Sequence, residues 1–317
     1  MLTRGEAAQI KRQLVASGYL APPKIDFLTN GTCILRCEGC WGPAWRLKGS
    51  VSAAEWVQVA DILSAIGLTE VVISGGEPLL RHDLEDILEG LKALGLRVTL
   101  STINHRILER PRILPNVDGL GIPMDGHTPN IHALSRPPVG RIPPHRSFWD
   151  SMLALREVPS RYPHLDLTLR TVVDGYNTAG DTPSVLEIPR VIVEHGVDIS
   201  RFRWKLYQWN RWTGPRQDRS ASPHSRDISF ERFEEVTGQV GQVGSGFRNI
   251  TIQPATTTSG RYFLIEPDGA GRLEIAADDG LPQAVVVGHI SDLYGMVRAL
   301  NSDHDKVLLN IGKRRAS

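Results

Sequence analysis

Residues 29–41 read Thr-Asn-Gly-Thr-Cys-Ile-Leu-Arg-Cys-Glu-Gly-Cys-Trp, and the rest of the chain is organised around them. Cys33, Cys37 and Cys40 fall inside eight positions, and the 317 residues contain only these three cysteines. Clustered thiols with no partner elsewhere do not make a disulfide framework. Three thiolates are also one short of the four that close a structural zinc site or complete an iron–sulfur ligand set. A [4Fe–4S] cluster held by this run would keep one iron open to a small molecule. A zinc knuckle or three incidental buried thiols are the alternatives.

The bulk composition narrows the function classes. A formal charge of +1 gives no argument for nucleic acid or an acidic membrane as partner. No apolar run approaches the roughly 18 residues of a membrane span, and the first residues lack the basic start and apolar core of a secretory signal. The expected location is the cytoplasm, where an oxygen-sensitive cluster survives best.

Outward from the cysteines, strand-like and helix-like stretches alternate. Thr3 to Ser17 reads as an amphipathic helix through Ala7, Ile10, Leu14 and Val15. Strands are expected at Lys24 to Leu28, Glu70 to Ser74, Arg97 to Thr102, Val117 to Ile122, Leu165 to Val173 and Arg201 to Trp209. Helices are expected between them: Ala53 to Ile66 with Ser52 as N-cap, His82 to Leu94, Ile107 to Leu114, Phe148 to Val158 and Val185 to His195. Such alternation means a parallel sheet, here six strand–helix units, two short of a closed barrel. Asp125 to Arg146 reads as a long functional loop. Beyond it lie a polar loop from Gly214 to Arg226, a helix at Ser229 to Val240, a hairpin of Tyr262 to Pro267 with Arg272 to Ala276, a helix at Ile290 to Leu300 and the basic tail Lys313-Arg314-Arg315.

At the end of the second strand stands Gly75-Gly76-Glu77-Pro78. Glycines there let a ligand approach the backbone, and the glutamate offers a carboxylate to an ammonium group. Cys-x3-Cys-x2-Cys followed one unit later by GGEP resembles the radical S-adenosylmethionine (SAM) enzymes. The resemblance covers Lys24 to about Trp209, with a weaker continuation to residue 293. It implies an α/β fold, a partial (βα)6 TIM-like barrel with a C-terminal extension covering the barrel. The corresponding units are 1–23 as an N-terminal helix, 24–213 as the barrel and 214–317 as the extension. It implies a [4Fe–4S] cluster on the three cysteines and SAM on its open iron, with GGEP at the SAM amino group. SAM is then cleaved reductively to a 5′-deoxyadenosyl radical that abstracts hydrogen from substrate, with electrons from an external donor such as flavodoxin or ferredoxin. Ser101 and Thr102 stand where relatives carry a TNG-like turn, although Ile103 interrupts it. Pro123-Met124-Asp125-Gly126 replaces the usual Ser-Leu-Asp-Gly, losing a hydroxyl near the ribose. Arg170 stands where relatives reach SAM, as a carboxylate clamp.

Substrate clues lie on the sixth strand. Period-two alternation puts Arg201, Arg203, Lys205 and Tyr207 on one face. RWKLYQ and the earlier RTVVDGYN, ending at Asn177, resemble the viperin-like branch of the family, whose Arg and Lys hold phosphates. The tyrosine at 262 fits the same resemblance. That branch has a lysine where Thr168 stands and an asparagine where Asp26 stands, and both changes weaken a triphosphate. The expected substrate is a small polar or anionic molecule of nucleotide, nucleoside or sugar type, in natural-product chemistry, held by Asp26, Arg203 and Lys205. With no spare thiol, either Tyr207 or Tyr262 would quench a product radical or the reaction needs no donor. His105, His127, His132 and Arg136 populate loops at the same end. The other readings are modification of a peptide or protein, and a non-catalytic iron–sulfur or zinc sensor.

Overall fold

The computed structural model describes residues 2–38, 40, 51–209, 225–255, 263–276 and 282–302. Helix α1 (Arg4–Ala16) and helix α2 (Ala53–Ser64) both open with a capping box. Thr3 and Glu6, then Ser52 and Glu55, exchange side-chain and backbone hydrogen bonds that satisfy two otherwise orphaned donors each. Between them runs β1 (Lys24–Asn30), whose Phe27 ring packs on the fully buried Trp56 of α2 at 4.7 Å between centroids. Such a pair contributes about 0.5–1.5 kcal/mol beyond its buried area.

The alternation continues with β2 (Glu70–Gly75), α3 (Leu84–Ala93), β3 (Arg97–Ser101), β4 (Gly119–Pro123), α4 (Pro129–Ser135), α5 (Arg146–Arg161), β5 (Asp166–Val173), α6 (Ser184–Glu194) and β6 (Phe202–Gln208). Strands β1 to β6 pair in sequence order, all parallel. The expected barrel strands are therefore present. Two further parallel strands extend the sheet: β7 (Asn249–Gln253), reached through α7 (Phe230–Val243), lies beside β6, and β8 (Phe263–Ile265) lies beside β1. Antiparallel β9 (Ala270–Ala276) and β10 (Pro282–His289) complete the order β10-β9-β8-β1-β2-β3-β4-β5-β6-β7, and α8 (Leu293–Ser302) packs on β10. The sheet is open, and the late hairpin, expected against the open edge or mouth of the barrel, adds strands beside β1.

Three local expectations are corrected. Ile107 to Leu114 is not a helix but two short 3-10 turns, Ile107–Glu109 and Leu114–Asn116. Asn104 and Arg106 adopt left-handed backbone ahead of the first turn, and Pro111 and Pro115 deny the amides an α-helix needs. The stretch from Asp125 to Arg146 contains α4, started by Thr128 as N-cap and Pro129 at the first position. The last helix begins three residues later than expected, after a 3-10 turn at Ile290–Asp292. Among the described residues, no helix is long and apolar enough to cross a membrane.

Curvature of the sheet can be read from electrostatics. Asp26 of β1 feels the charges of Arg170 on β5 and Lys205 on β6, although four strands separate β1 from β6 in the sheet. One face of β5 and β6 is buried without break, through Leu167, Leu169, Thr171, Phe202, Trp204 and Leu206. Trp204 donates its indole N–H to Thr171 Oγ1 at 3.0 Å within that layer. The alternate residues Thr168, Arg170, Val172, Arg203, Lys205 and Tyr207 are half-buried and line the concave side.

Candidate active site

The cysteine loop leaves the C-terminal end of β1, the end where parallel α/β barrels carry chemistry. Two backbone crossings fix its start. Gly76 N–H donates to the Asn30 carbonyl, and Glu77 N–H donates to the Thr32 carbonyl at 2.7 Å. A Cβ on Gly76 would sit 2.2 Å from the Thr32 oxygen. On Gly75, whose φ is +134°, it would sit 2.5 Å from the Asn30 oxygen. Both glycines are thus required by the close approach of the two loops.

Further along, the loop is held from the other side. Arg36 N–H donates to Pro137 O at 2.8 Å and Val139 N–H to Ile34 O at 2.9 Å. Arg226 Nη1 donates to the Glu38 carbonyl at 2.6 Å, while its own charge is matched by Asp174, 2.7 Å away and fully buried. A second buried pair, Arg136 with Asp125 at 2.6 Å, also acts electrostatically on Cys37. Burial pushes the Cys37 thiol up to about 11 against the opposing pull of Arg136 and Arg226, and it pushes the Cys33 thiol up as well. Each of Cys33, Cys37 and Cys40 is half-buried, and the Cys33 thiol is raised further by Cys37 and Cys40.

Glu77 is completely buried and fastens the turn after β2 to the turn after β3. Its carboxylate accepts from Leu79 N–H at 3.0 Å, Ile103 N–H at 2.9 Å and the Thr102 hydroxyl. Burial raises its pKa in spite of these donors. Thr102 Oγ1 also accepts from Asn104 N–H at 3.0 Å, so its hydroxyl is engaged on both sides. Asn104 is 1 % exposed, and neither its amide nitrogen nor its amide oxygen has a hydrogen-bond partner. An unsatisfied buried amide costs about 1–3 kcal/mol, so this one is poised for a ligand. Sequence reasoning passed over Asn104, although Thr-Ile-Asn is the expected Thr-Asn turn displaced by one residue, and asparagine tolerates the left-handed φ of +63° found there.

Arg170 crosses the concave face above Gly121, where any Cβ would meet its guanidinium at 2.3 Å. Its Nη1 donates to Ser101 Oγ, and its buried Nε has no partner. Asp26, buried and without a salt bridge among the described residues, has its pKa pushed up to about 6 by desolvation, with Lys24, Arg170 and Lys205 opposing the rise. The Lys205 ammonium lies 4.7 Å from the ring centroid of Tyr207. Asp26, Arg170, Lys205 and Tyr207 are therefore brought to one side of the sheet. Arg203 is not brought with them, because it pairs with Asp166 near the starting end of β6. Tyr262 lies outside the described residues. Of the loop histidines, His105 pairs with Asp150 at 3.0 Å and His127 with Ser184 at 2.7 Å. His132 is held neutral by burial, with its pKa pushed down to about 3; it accepts from Asp125 N–H and bonds Ser147. Asn177 anchors the end of β5 by donating to the carbonyls of Asp125 and Val172.

Comparison with known proteins gives this geometry its context. The family model of the radical SAM superfamily matches residues 28–177. The chain carries a radical SAM domain. Over 80 residues it is 42% identical to the 7-carboxy-7-deazaguanine synthase of Hyperthermus butylicus, covering 24% of this chain and 33% of that one. Over 162 residues it is 27% identical to a probable GTP 3′,8-cyclase of Pyrobaculum aerophilum, covering 50% of this chain and 51% of the relative. The chain thus spans about a third to a half of these curated relatives. Among solved structures, anSMEcpe with bound AdoMet and a Cp18Cys peptide superposes with a TM-score of 0.62 at 15% identity, covering 91% of this chain and 84% of that one. Streptococcus suis SuiB bound to its precursor peptide SuiA gives 0.59 at 13%, covering 83% and 62%. These two likenesses establish the shared fold.

The superfamily's cofactors are a [4Fe–4S] cluster and SAM. The residues of this radical SAM domain fit both. Three thiols share one loop and sense each other's charge, which suits a cluster with one iron left over. The unpartnered amide of Asn104 and Nε of Arg170 offer donors and an acceptor to a polar cofactor beside that loop.

Proposed function

We propose that this radical SAM domain belongs to an enzyme acting on a small polar or anionic substrate of nucleotide, nucleoside or sugar type. The observation that carries the reading is the set of ionisable groups on the concave face. Asp26, Arg170 and Lys205 lack a salt bridge among the described residues, and desolvation already strains Asp26. Buried charges without partners cost several kcal/mol and are kept where a ligand completes them.

In this reading Cys33, Cys37 and Cys40 hold the cluster, and the turn Gly75-Gly76-Glu77-Pro78 lies along the methionine part of SAM. Glu77 and Thr102 set the shape of that turn, leaving its backbone groups to the amino function. Arg170, oriented by Ser101, takes the SAM carboxylate through charge-assisted hydrogen bonds, and Asn104 supplies its free amide. When bound, cluster and SAM supply a 5′-deoxyadenosyl radical that removes a hydrogen atom from carbon. Lys205 binds an anionic group of the substrate, and Asp26 accepts from a hydroxyl or a cationic group. Tyr207, whose ring carries the Lys205 ammonium, stands ready to return a hydrogen atom to a product radical. The electron comes from an external reductant.

The test is anaerobic: reconstitute the cluster, add dithionite and SAM, and quantify 5′-deoxyadenosine with a panel of nucleotides, nucleosides and sugar acids. One panel member should stimulate turnover in the parent, and Lys205→Met should lose that stimulation while keeping slow, uncoupled cleavage. Cys37→Ala should form no 5′-deoxyadenosine. Stimulation by peptides alone would overturn the substrate class and favour peptide modification. Absence of 5′-deoxyadenosine from a fully loaded, reduced protein would overturn the enzyme reading.

A further inference from the structure

At the end of the strands opposite the cysteine loop lies an open depression of about 750 Å³, bordered by Arg97, Arg201, Arg203, Arg248, His164 and Asp166. One carboxylate serves three guanidinium groups there. Asp166 receives Arg97 at 2.9 Å and is also contacted by Arg203 and Arg248. Among the described residues Arg201 makes no ion pair; it is held by the carbonyl oxygens of Pro163 at 3.0 Å and Pro159 at 3.4 Å. The other acids nearby are engaged by lysines. Glu70, beside Arg97 in the sheet, is taken by Lys24 at 2.7 Å, and Asp118 is taken by Lys92 at 2.7 Å. Four arginines against one aspartate leave a formal excess of three positive charges.

Arginines serving only to close the base of a barrel would be matched with acids, since like charges crowded together repel. Here the guanidinium groups stay accessible, with the side chains of Arg97, Arg203 and Arg248 between 43% and 49% exposed. The Nε of Arg203 is nonetheless buried and has no hydrogen-bond partner. A planar fork of donors at each arginine matches phosphate oxygens two at a time. The volume lies within the roughly 300–1,000 Å³ of small-molecule sites.

We propose that this depression binds a multivalent oxyanion of phosphate type, as free pyrophosphate or as the phosphate chain of a nucleotide. The site is separate from the concave-face group around Lys205. Its ligand meets Arg97, Arg203 and Arg248 from solvent and draws in Arg201, which has no ion-pair partner among the described residues.

The experiment is anaerobic titration calorimetry on the cluster-loaded chain with inorganic phosphate, pyrophosphate and ATP, at one ionic strength set with chloride. Pyrophosphate should bind saturably with one site per chain. Affinity should fall at least tenfold in Arg97→Gln/Arg248→Gln and several-fold in Arg201→Gln, which leaves the Asp166 pairs intact and guards against a folding defect in the double variant. Lys205→Met should bind pyrophosphate as the parent does. ATP binding no tighter than pyrophosphate would assign recognition to the phosphate chain, and tighter ATP binding lost in the double variant would add the nucleoside to the same site. The proposal is overturned by heats that do not saturate. It is equally overturned by unchanged affinity in the arginine variants, or by binding lost only in Lys205→Met, which would place the anion on the concave face.

Discussion

Asp26→Asn should make the protein more stable and less active. The carboxylate is 5 % exposed and titrates near pH 6 in the fold against an ordinary value of 3.8. A folded pKa raised in this way means that the native state holds its proton longer than the unfolded chain does. The associated stability is present below pH 3.8 and is lost as pH rises through about 6. The difference between about 6 and 3.8, at ~1.36 kcal/mol per pH unit, amounts to about 3 kcal/mol. Asparagine has nearly the same shape and no charge, so it escapes this loss. Paired urea titrations of parent and variant should therefore coincide near pH 3 and separate by up to about 3 kcal/mol above pH 6.5. Substrate-stimulated formation of 5′-deoxyadenosine should fall in the same variant. A variant no more stable than the parent at pH 7.5 would show that Asp26 already has a satisfying partner, and the substrate argument built on it would go.

Gly76→Ala places a methyl group 2.2 Å from the Thr32 oxygen and must push the cysteine loop aside. Overpacking of this kind costs about 1–3 kcal/mol, and iron content after anaerobic reconstitution should drop well below the parent while far-ultraviolet dichroism is preserved. Arg226→Met leaves Asp174 buried without its cation, for a loss of about 3 kcal/mol measurable by urea unfolding; an unchanged midpoint would show that backbone donors alone suffice. Asn104→Ala relieves the about 1–3 kcal/mol cost of a buried unpaired amide but leaves a small cavity and puts alanine at a left-handed φ, so the terms offset and unfolding should be little changed. SAM affinity in equilibrium dialysis should nevertheless fall about tenfold, the equivalent of one lost hydrogen bond of ~1.4 kcal/mol. Equal SAM affinity would take Asn104 out of the cofactor site.

Much of this architecture was legible because its signals are local. Alternating apolar strands and capped helices gave β1 to β6, and Ser52 caps α2 as its position suggests. The glycines of GGEP signalled a close approach to the backbone, expected there of a ligand, and in the fold the backbone of Asn30 and Thr32 makes such an approach. Alternation along β6 correctly separated Lys205 and Tyr207 from Trp204 and Leu206. It could not say how deep each residue lies, because depth depends on the shear between strands, and Arg203 accordingly sits at the starting end beside Asp166. β7 does alternate, through Ile250 and Ile252, but over only five residues and with Ile252 exposed at the sheet edge, too short a pattern to stand out as a strand. The helix α4 did carry a readable start in Thr128-Pro129, hidden by the surrounding prolines and glycines. The role expected of Glu77 was drawn from its charge, whereas three donors from two different turns decide what its carboxylate does. Arg226 had no sequence signal, since its partners come from three distant segments.

That last residue sets a timetable. Glu38 leaves the ribosome well before Arg226, because the guanidinium that grips its carbonyl is encoded 188 positions later. At roughly 5–20 residues per second, the interval between the two is on the order of 10–40 s. Until it has passed, Asp174 and Ser135 wait for the same arginine. The cysteine loop is thus made first and fastened last, because its Glu38 end gains this support only after the segments carrying Ser135, Asp174 and Arg226 have all been translated.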